Sequence, residues 1–325
     1  MVKDSHPHRG SLAFYPRKRA SRIYPSITTY PLEEKAKILG FAGYKVAMAH
    51  AVAIDNNKGS NTFGQEIIVP VTVVECPPMV AVGVRAYKKT TKGLTSFTHA
   101  ITTVHENLKR KIIVGKFNSE KNLSEIEKNL GKVAKIRVIV ATQPHLTGIR
   151  KKKPEIFEIE IGGKDAKENF ELAKQILGKE IKITDIFKEG ELVDVVAVTK
   201  GKGTQGVVKR FGVKIQNRHA MKKKRHIGTL GPQTPRRVRW TAPQAGQMGF
   251  QTRTELNKRI LKVGNADEIN IPQGFNRYGK IKSNYILVEG SIPGSKKRLV
   301  RMRPAIRPTS TKIQPIELKQ IVLGG

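Results

Sequence analysis

The sequence predicts a mainly β protein whose β domain is interrupted by an α/β insertion. Three observations carry this. β-branched runs separated by strong turn signals fill residues 44–87, and the β pattern returns at 192–199, 278–288 and 299–306. Residues 105–190 instead mix helical and strand periodicities. Charge gathers at the two ends: residues 1–50 carry a net +6 and 200–325 a net +23, whereas 51–199 carry +6 over nearly three times the length of the first segment.

Each element has its own signal. Residues 1–25 hold Arg9, Arg17, Lys18, Arg19 and Arg22 among prolines and a glycine that break any periodicity. Two readings remain there, a frayed terminus or an extended arm that orders on RNA. Tyr44–Ile54 reads as a strand followed by the turn Asp55-Asn56-Asn57-Lys58-Gly59. Ile67–Val74 is a second strand, stopped by Pro77-Pro78, and Met79–Tyr87 a third; together they suggest an all-β sheet or barrel. Cys76 reads as a small buried residue. In the insertion, Ser124 with Glu127 forms a capping box and Gly131 supplies the stop. Ala134–Val140 is a strand, and Ile156–Ile161 alternates so that Glu158 and Glu160 share one face. Asp165 and Glu168 make a second box; Phe170, Ala173, Ile176 and Leu177 line one helical face, which Gly178 ends. Leu192–Thr199 is a buried strand, and Val207–Val213 is the candidate for the next.

Composition bounds the function. Thirty-eight per cent apolar residues supply a core for one large domain or two in 325 residues. A formal charge of +35 points to nucleic acid or an anionic membrane surface. No apolar run approaches the roughly 20 residues of a spanning helix. No apolar signal core follows the first bases, so a cytoplasmic protein is expected. Cys76 is the only cysteine, which excludes an intramolecular disulfide and a thiolate zinc site. His219 and His226, seven apart among bases that would repel a cation, have no metal-binding spacing. Neither metal nor cofactor is expected.

The chain is organised around Val195–Thr254, which holds 14 Lys and Arg, no acid, and glycines or prolines at close intervals. Its apolar positions are too few for a core of its own, so a polyanion must complete it, and RNA is the commonest structured one. Gly201-Lys202-Gly203-Thr204-Gln205-Gly206 matches a nucleotide-binding fingerprint. The residues after it do not read as a helix, however, and no ribose-binding acid follows, so it is better taken as a turn whose backbone can approach phosphate. Glu158 and Glu160 could serve acid–base chemistry, but beside many lysines they read as a solvated face. His219 is either an RNA hydrogen-bonding group or solvated. Trp240 reads first as a packing anchor and otherwise as a stacking platform. With only Phe211, Trp240 and Phe250 as aromatics here, a reader of folded RNA backbone and shape fits better than a single-strand binder.

Gly-Val-Val-Lys-Arg-Phe-Gly-Val (206–213), His219, Ile-Gly-Thr-Leu-Gly-Pro-Gln-Thr-Pro (227–235), Ala-Gly-Gln-Met-Gly (245–249) and Arg-Thr-Glu-Leu-Asn-Lys (253–258) closely resemble the L three family of large-subunit ribosomal proteins. Gly-Ser-Ile-Pro-Gly-Ser-Lys-Lys-Arg-Leu-Val-Arg (290–301) matches the family's C-terminal part. His-Arg-Gly-Ser-Leu (8–12) with Pro-Arg-Lys-Arg (16–19) resembles the N-terminal arm of archaeal and eukaryotic members, and the length looks archaeal. The resemblance implies a six-stranded β barrel of the translation-factor kind with an inserted α/β domain. It further implies a loop and an arm that enter 23S ribosomal RNA near its 3′ end, early in 50S assembly, with the loop tip near the peptidyl transferase centre and no catalytic group. His219 matches a histidine modified in eukaryotic members. Gln233 stands at the tip, where many archaeal and eukaryotic members carry tryptophan; glutamine before Thr-Pro is the bacterial pattern.

The expected division is an arm over 1–42, barrel parts at 43–104, 191–213 and 241–309, the insertion at 105–190, the basic loop at 214–240 and a tail at 310–325. The expected rRNA-binding residues in the arm are Arg9, Arg17, Lys18 and Arg19. Those around the loop are Lys209, Arg210, Lys214, Arg218, His219, Lys222, Lys223, Lys224, Arg225, Gln233, Arg236, Arg237, Arg239 and Trp240, followed by Gln247 and Arg253. The implied partners are 23S rRNA and neighbouring large-subunit proteins within the 50S subunit and 70S ribosome, with no membrane. An RNA-modifying enzyme and a general nucleic-acid-binding protein are the rivals, and the first would need an acid–base constellation that 195–254 does not offer.

Overall fold

The computed structural model describes residues 8–56, 59–102, 106–112, 118–309 and 317–322. Strands dominate. In chain order they are β1 (Lys37–Ile38), β2 (Phe41–Ile54), β3 (Glu66–Glu75), β4 (Met79–Thr90), β5 (Gly93–Ile101), β6 (Lys135–Ala141), β7 (Ile156–Gly162), β8 (Glu180–Ile181), β9 (Leu192–Val198), β10 (Thr204–Gln205), β11 (Gly246–Gln247), β12 (Thr252–Gly264), β13 (Tyr285–Glu289), β14 (Leu299–Pro304) and β15 (Leu318–Val322). Among the described residues three α-helices accompany them: α1 (Ser119–Lys128), α2 (Ala166–Ile176) and α3 (Val207–Phe211). The chain forms two compact units. One comprises Met1–Ile23 and Val198–Arg253, the other Tyr24–Ala197 and Thr254–Gly325.

The larger unit holds two antiparallel sheets. One runs β14-β9-β12-β13-β3-β2-β15, and β14 pairs with β2 as well as β9. The β-branched runs build it: Val71, Val73, Val193, Val195, Ile286, Val288 and Val300 are fully or almost fully buried. Each such side chain contributes roughly 1.5–3 kcal/mol relative to exposure. The other sheet runs β1-β7-β6-β4-β5, with β8 on β4. After Pro77-Pro78 the chain therefore joins β6, by the register Val80↔Ala141 through Tyr87↔Lys135, and not the sheet of β2 and β3. Arg301 ties the two sheets. It is 3% exposed and donates from β14 to the carbonyl oxygens of Glu158 on β7 and Pro25, and to the Tyr30 hydroxyl.

Several expectations need correction. Ser124 does not cap a helix. It sits inside α1, where its hydroxyl donates to the Glu120 carbonyl, and the helix begins at Ser119 after Asn118. Asp165 is the residue before α2, as the spacing predicts, but it makes no side-chain capping bond. The Glu158–Glu160 face is not solvated. Arg85, Arg137 and Glu160 are direct cross-strand partners on β4, β6 and β7. Glu158 bridges Arg85 and Arg137, while Glu160 pairs with Arg137 at 3.2 Å and with Lys135. Two arginines opposite one another would repel; the glutamates two positions apart on β7 relieve this. Val207–Val213 is not a strand. Val207 and Phe211, four residues apart, both turn inward on one helical turn, and Gly212 at φ 67° closes it. The β13 strand starts at Tyr285, because Glu75 holds the preceding residues in a loop. The turn expected at Asp55–Gly59 and the tail at 310–325 lie partly outside the described residues, although Leu318–Val322 pairs with β2.

Asp194 illustrates the cost of charge inside this unit. It is fully buried on β9, pairs with Arg303 at 3.1 Å and accepts from the backbone N–H of Asn257 and Ile306. Asp194→Ala would leave the Arg303 guanidinium and two N–H groups without their acceptor. Urea denaturation is expected to show a loss of roughly 3–5 kcal/mol; a loss under about 1 kcal/mol would contradict the role given to this pair.

Candidate nucleic-acid interface

The smaller unit is built around few apolar residues. Among its described side chains, Val207, Phe211 and Gln251 are the buried ones from α3 onward. The glycine run supplies the turn before them. Lys202 N–H donates to Met248 O, Met248 N–H to Gly203 O, and β10 pairs with β11. Gly249, at φ 69°, lies against the Lys200 carbonyl with no space for a Cβ. A helix does follow the glycine-rich motif, contrary to expectation. It is a single turn, though, and the ribose-binding acid of a dinucleotide site is absent from 195–254.

Aromatic rings organise the cations. Arg17 stacks on Tyr15 and Phe211, 4.3 and 4.4 Å from their centroids, and donates to Ser11 O. Gly10, at φ 82°, makes this approach possible: a Cβ there would lie 2.7 Å from Phe211 Cδ1. Arg253 sits over Phe14 at 4.8 Å, and Arg19 over Phe250 at 5.2 Å. Such contacts hold a guanidinium in place without neutralising it. The arm is fastened as well, by Ala20 N–H to Phe250 O and the Tyr15 hydroxyl to Thr241 O, both 2.8 Å. Of the two readings for the N-terminus, fraying therefore fails for this segment; residues 1–7 lie outside the described residues. Tyr15 and Phe14, which organise the cluster, carry no sequence signal beyond being aromatic residues near arginines.

Two arginines spend their donors on the protein. Arg210 donates to the carbonyls of Gln244, Gln247 and, at 3.5 Å, Arg17; burial, then the charge of Arg17, pushes its pKa below the ordinary guanidinium value. Arg253 donates to Thr252 O and Gln251 Oε1, and burial followed by Arg17 shifts it in the same direction. Gln247 likewise directs its amide to Met248 O and Gly249 O. These three residues shape the surface more than they extend from it.

The remaining predicted residues point outward. Arg9, Lys18, Arg19, Lys209, Lys214, Arg218, His219, Lys222, Lys223, Lys224 and Arg225 are exposed, and so is every residue from Gly228 to Trp240, with Gln233, Arg236, Arg237 and Arg239 among them. Only local bonds shape this loop, such as Gln216 N–H to Lys224 O and the Gln216 amide to His226 O. The described part of the unit contains no aspartate or glutamate at all. Cations a few ångströms apart repel by about 1 kcal/mol per pair even in water at 4 Å. Among the described residues, no group of three or more His, Cys, Asp or Glu could hold a metal ion, and no helix is long and apolar enough to cross a membrane.

A family model described as "Ribosomal protein L3" matches residues 1–322. The chain belongs to the ribosomal protein L3 family. It is 52% identical to "Large ribosomal subunit protein uL3" of Methanopyrus kandleri over 93% of this chain and 86% of that one. It is 48% identical to the protein of the same description from Methanobrevibacter smithii over 95% and 94%. With that of Methanosphaera stadtmanae it shares 47% identity over 99% and 98%. These are archaeal relatives, in keeping with the archaeal look of the chain's length.

Against this family background, Trp240 is the unexpected residue. It is 75% exposed and therefore not the packing anchor expected. Its only described ring contact is Tyr15, edge-on at 5.3 Å and 89°. One ring fixed by another and open to solvent suits stacking with a base, worth roughly 1–3 kcal/mol. Because Trp240 is the only tryptophan, its fluorescence reports on it alone. Binding of large-subunit rRNA is expected to quench that emission, and Trp240→Ala to weaken binding about tenfold or more; unchanged emission on saturation with RNA would remove Trp240 from the interface.

Proposed function

We propose that this chain is a non-catalytic structural constituent of the large ribosomal subunit that binds 23S rRNA directly. The observation that carries the proposal is the smaller unit's cationic surface without a single described carboxylate. Phosphate contacts from such a surface give affinity and position, and bound RNA removes the repulsion. Family membership and the relatives' description as large-subunit proteins support the same reading. The expected partners are 23S rRNA and neighbouring proteins of the 50S subunit, within the 70S ribosome and the cytoplasm.

The finer proposals follow the resemblance. Binding falls near the 3′ end of the RNA and early in 50S assembly. The domain division is the one given above, with residues 1–42 as arm and 214–240 as the loop towards the peptidyl transferase centre, except that β4 and β5 join the sheet of the insertion and not the barrel. The strand path β14-β9-β12-β13-β3-β2, with β14 also on β2, supports a six-stranded barrel of the translation-factor kind. The site residues act in named roles. Lys222–Arg225 and Arg236–Arg239 flank the loop tip and meet phosphates. Gln233, uncharged at the exposed apex, enters a crowded RNA interior without adding repulsion, and its amide can bridge nucleotides directly or through water.

Large subunits reconstituted with Gln233→Ala test both levels. The variant chain is expected to sediment with large subunits and to leave them only in strong salt, while tRNA accommodation or sensitivity to drugs at the peptidyl transferase centre changes. A chain that does not enter large subunits contradicts the function. Normal entry with unaltered accommodation and drug response contradicts the apex role alone.

A further inference from the structure

We propose that the larger unit carries a second RNA-phosphate-binding surface, formed by exposed cations at 109–111, 150–153 and 277–282. The proposal rests on RNA being the partner, as argued above, and adds a site remote in sequence from the basic loop and the arm. Segments 106–112, 144–153 and 276–283 hold ten Lys and Arg and one acid, Glu106. All of the ten but Lys151 are exposed. Lys151 alone has an ion-pair partner among the described residues, Glu155.

Each segment is held firmly from beneath. Leu108 is 2% exposed and packs with Val82 and Ala141, which fixes the short helix Glu106–Arg110 on its sheet while Lys109, Arg110 and Lys111 face outward. Glu155, buried, accepts from the hydroxyls of Tyr44 and Thr142 and pairs with Lys151, leaving Arg150, Lys152 and Lys153 free. Glu75, fully buried, accepts from the backbone N–H groups of Lys282 and Ser283 and from the Tyr278 hydroxyl. These two carboxylates are thus spent on anchoring loops and leave the exposed ammonium and guanidinium groups unneutralised.

The three segments are neighbours. The Ser283 hydroxyl donates to Leu146 O at 3.1 Å, and Gly148 lies so close to the Lys280 carbonyl that a Cβ would come within 2.8 Å. Burial, then the charges of Lys111 and Lys153, push the Lys151 ammonium down to about 8 in spite of its pairing with Glu155, so the first two segments share one field. Leu146, at 36%, is the only exposed large hydrophobic residue of the three segments. An apolar partner surface therefore has nothing to bury here. Cations spread over separate, anchored loops match a partner with charge at every residue, which folded RNA supplies.

The test uses the full-length chain and purified 23S rRNA, read by binding at low salt and by hydroxyl-radical footprinting. One variant carries Arg110→Gln, Lys111→Gln, Lys152→Gln and Lys153→Gln. A second carries Lys109→Gln, Lys280→Gln and Lys282→Gln, so that a folding defect in one leaves the other informative. A third replaces Lys222–Arg225 by glutamine. The first two are expected to melt like wild type, bind about tenfold or more weakly, and lose one common set of protected nucleotides that the third retains. Wild-type affinity and footprint in both surface variants would overturn the inference, and so would displacement of this surface by polyglutamate but not by RNA. Failure of the wild-type chain itself to bind 23S rRNA would overturn the functional reading, a separate and recognisable outcome.

Discussion

Positive charge that the protein does not neutralise is the constraint on which the rest of this structure depends. In the smaller unit the described residues include no carboxylate, so its cations are held by rings, backbone carbonyls and the Gln251 side-chain amide. Arg17 between Tyr15 and Phe211, and Arg210 bonded to three carbonyls, show what such a unit can do for itself. It can orient a few guanidinium groups. It cannot build a core around the exposed cations of 214–239, which have no apolar face to bury.

The larger unit handles charge the opposite way. Five of its acids hold structure: Glu158 and Glu160 in a ladder across three strands, Asp194 on Arg303, Glu75 and Glu155 under loops. Arg301 is buried without a carboxylate and satisfied by carbonyls and a hydroxyl; burial pushes its pKa down from the ordinary guanidinium value. Other acids of the middle of the chain, such as Glu125, Glu127, Glu168 and Glu171, are exposed and offset surface cations on the helices that carry them.

This division also explains how much was legible in the sequence. Strands with continuous Val and Ile, such as Leu192–Val198 and the Val71–Val74 half of β3, are readable because both faces are buried. The α/β insertion was readable from the spacing of Phe170 and Ala173. Gly93–Ile101 was not, because it is a largely exposed edge strand, nor was Thr252–Gly264, whose first half alternates charged and polar residues. The basic loop and arm stood out in composition alone. Trp240 was misjudged because exposure of a single tryptophan depends on which residues the fold brings beside it, and only Tyr15 arrives. Apart from Tyr15, two residues before Arg17, the rings that seat Arg17, Arg19 and Arg253 come from distant positions and leave no local spacing to read.

The central claim is that unneutralised charge on this chain is completed by RNA phosphate. The most direct measurement is the affinity of the full-length chain for large-subunit rRNA as salt is raised from low to moderate concentration. Each phosphate neutralised contributes about −0.7 to −0.9 to the slope of log affinity against log salt. The account requires a steep, linear decline that corresponds to several engaged phosphates. An affinity that stays constant over that range would mean that the cations are not what holds the RNA, and would contradict it.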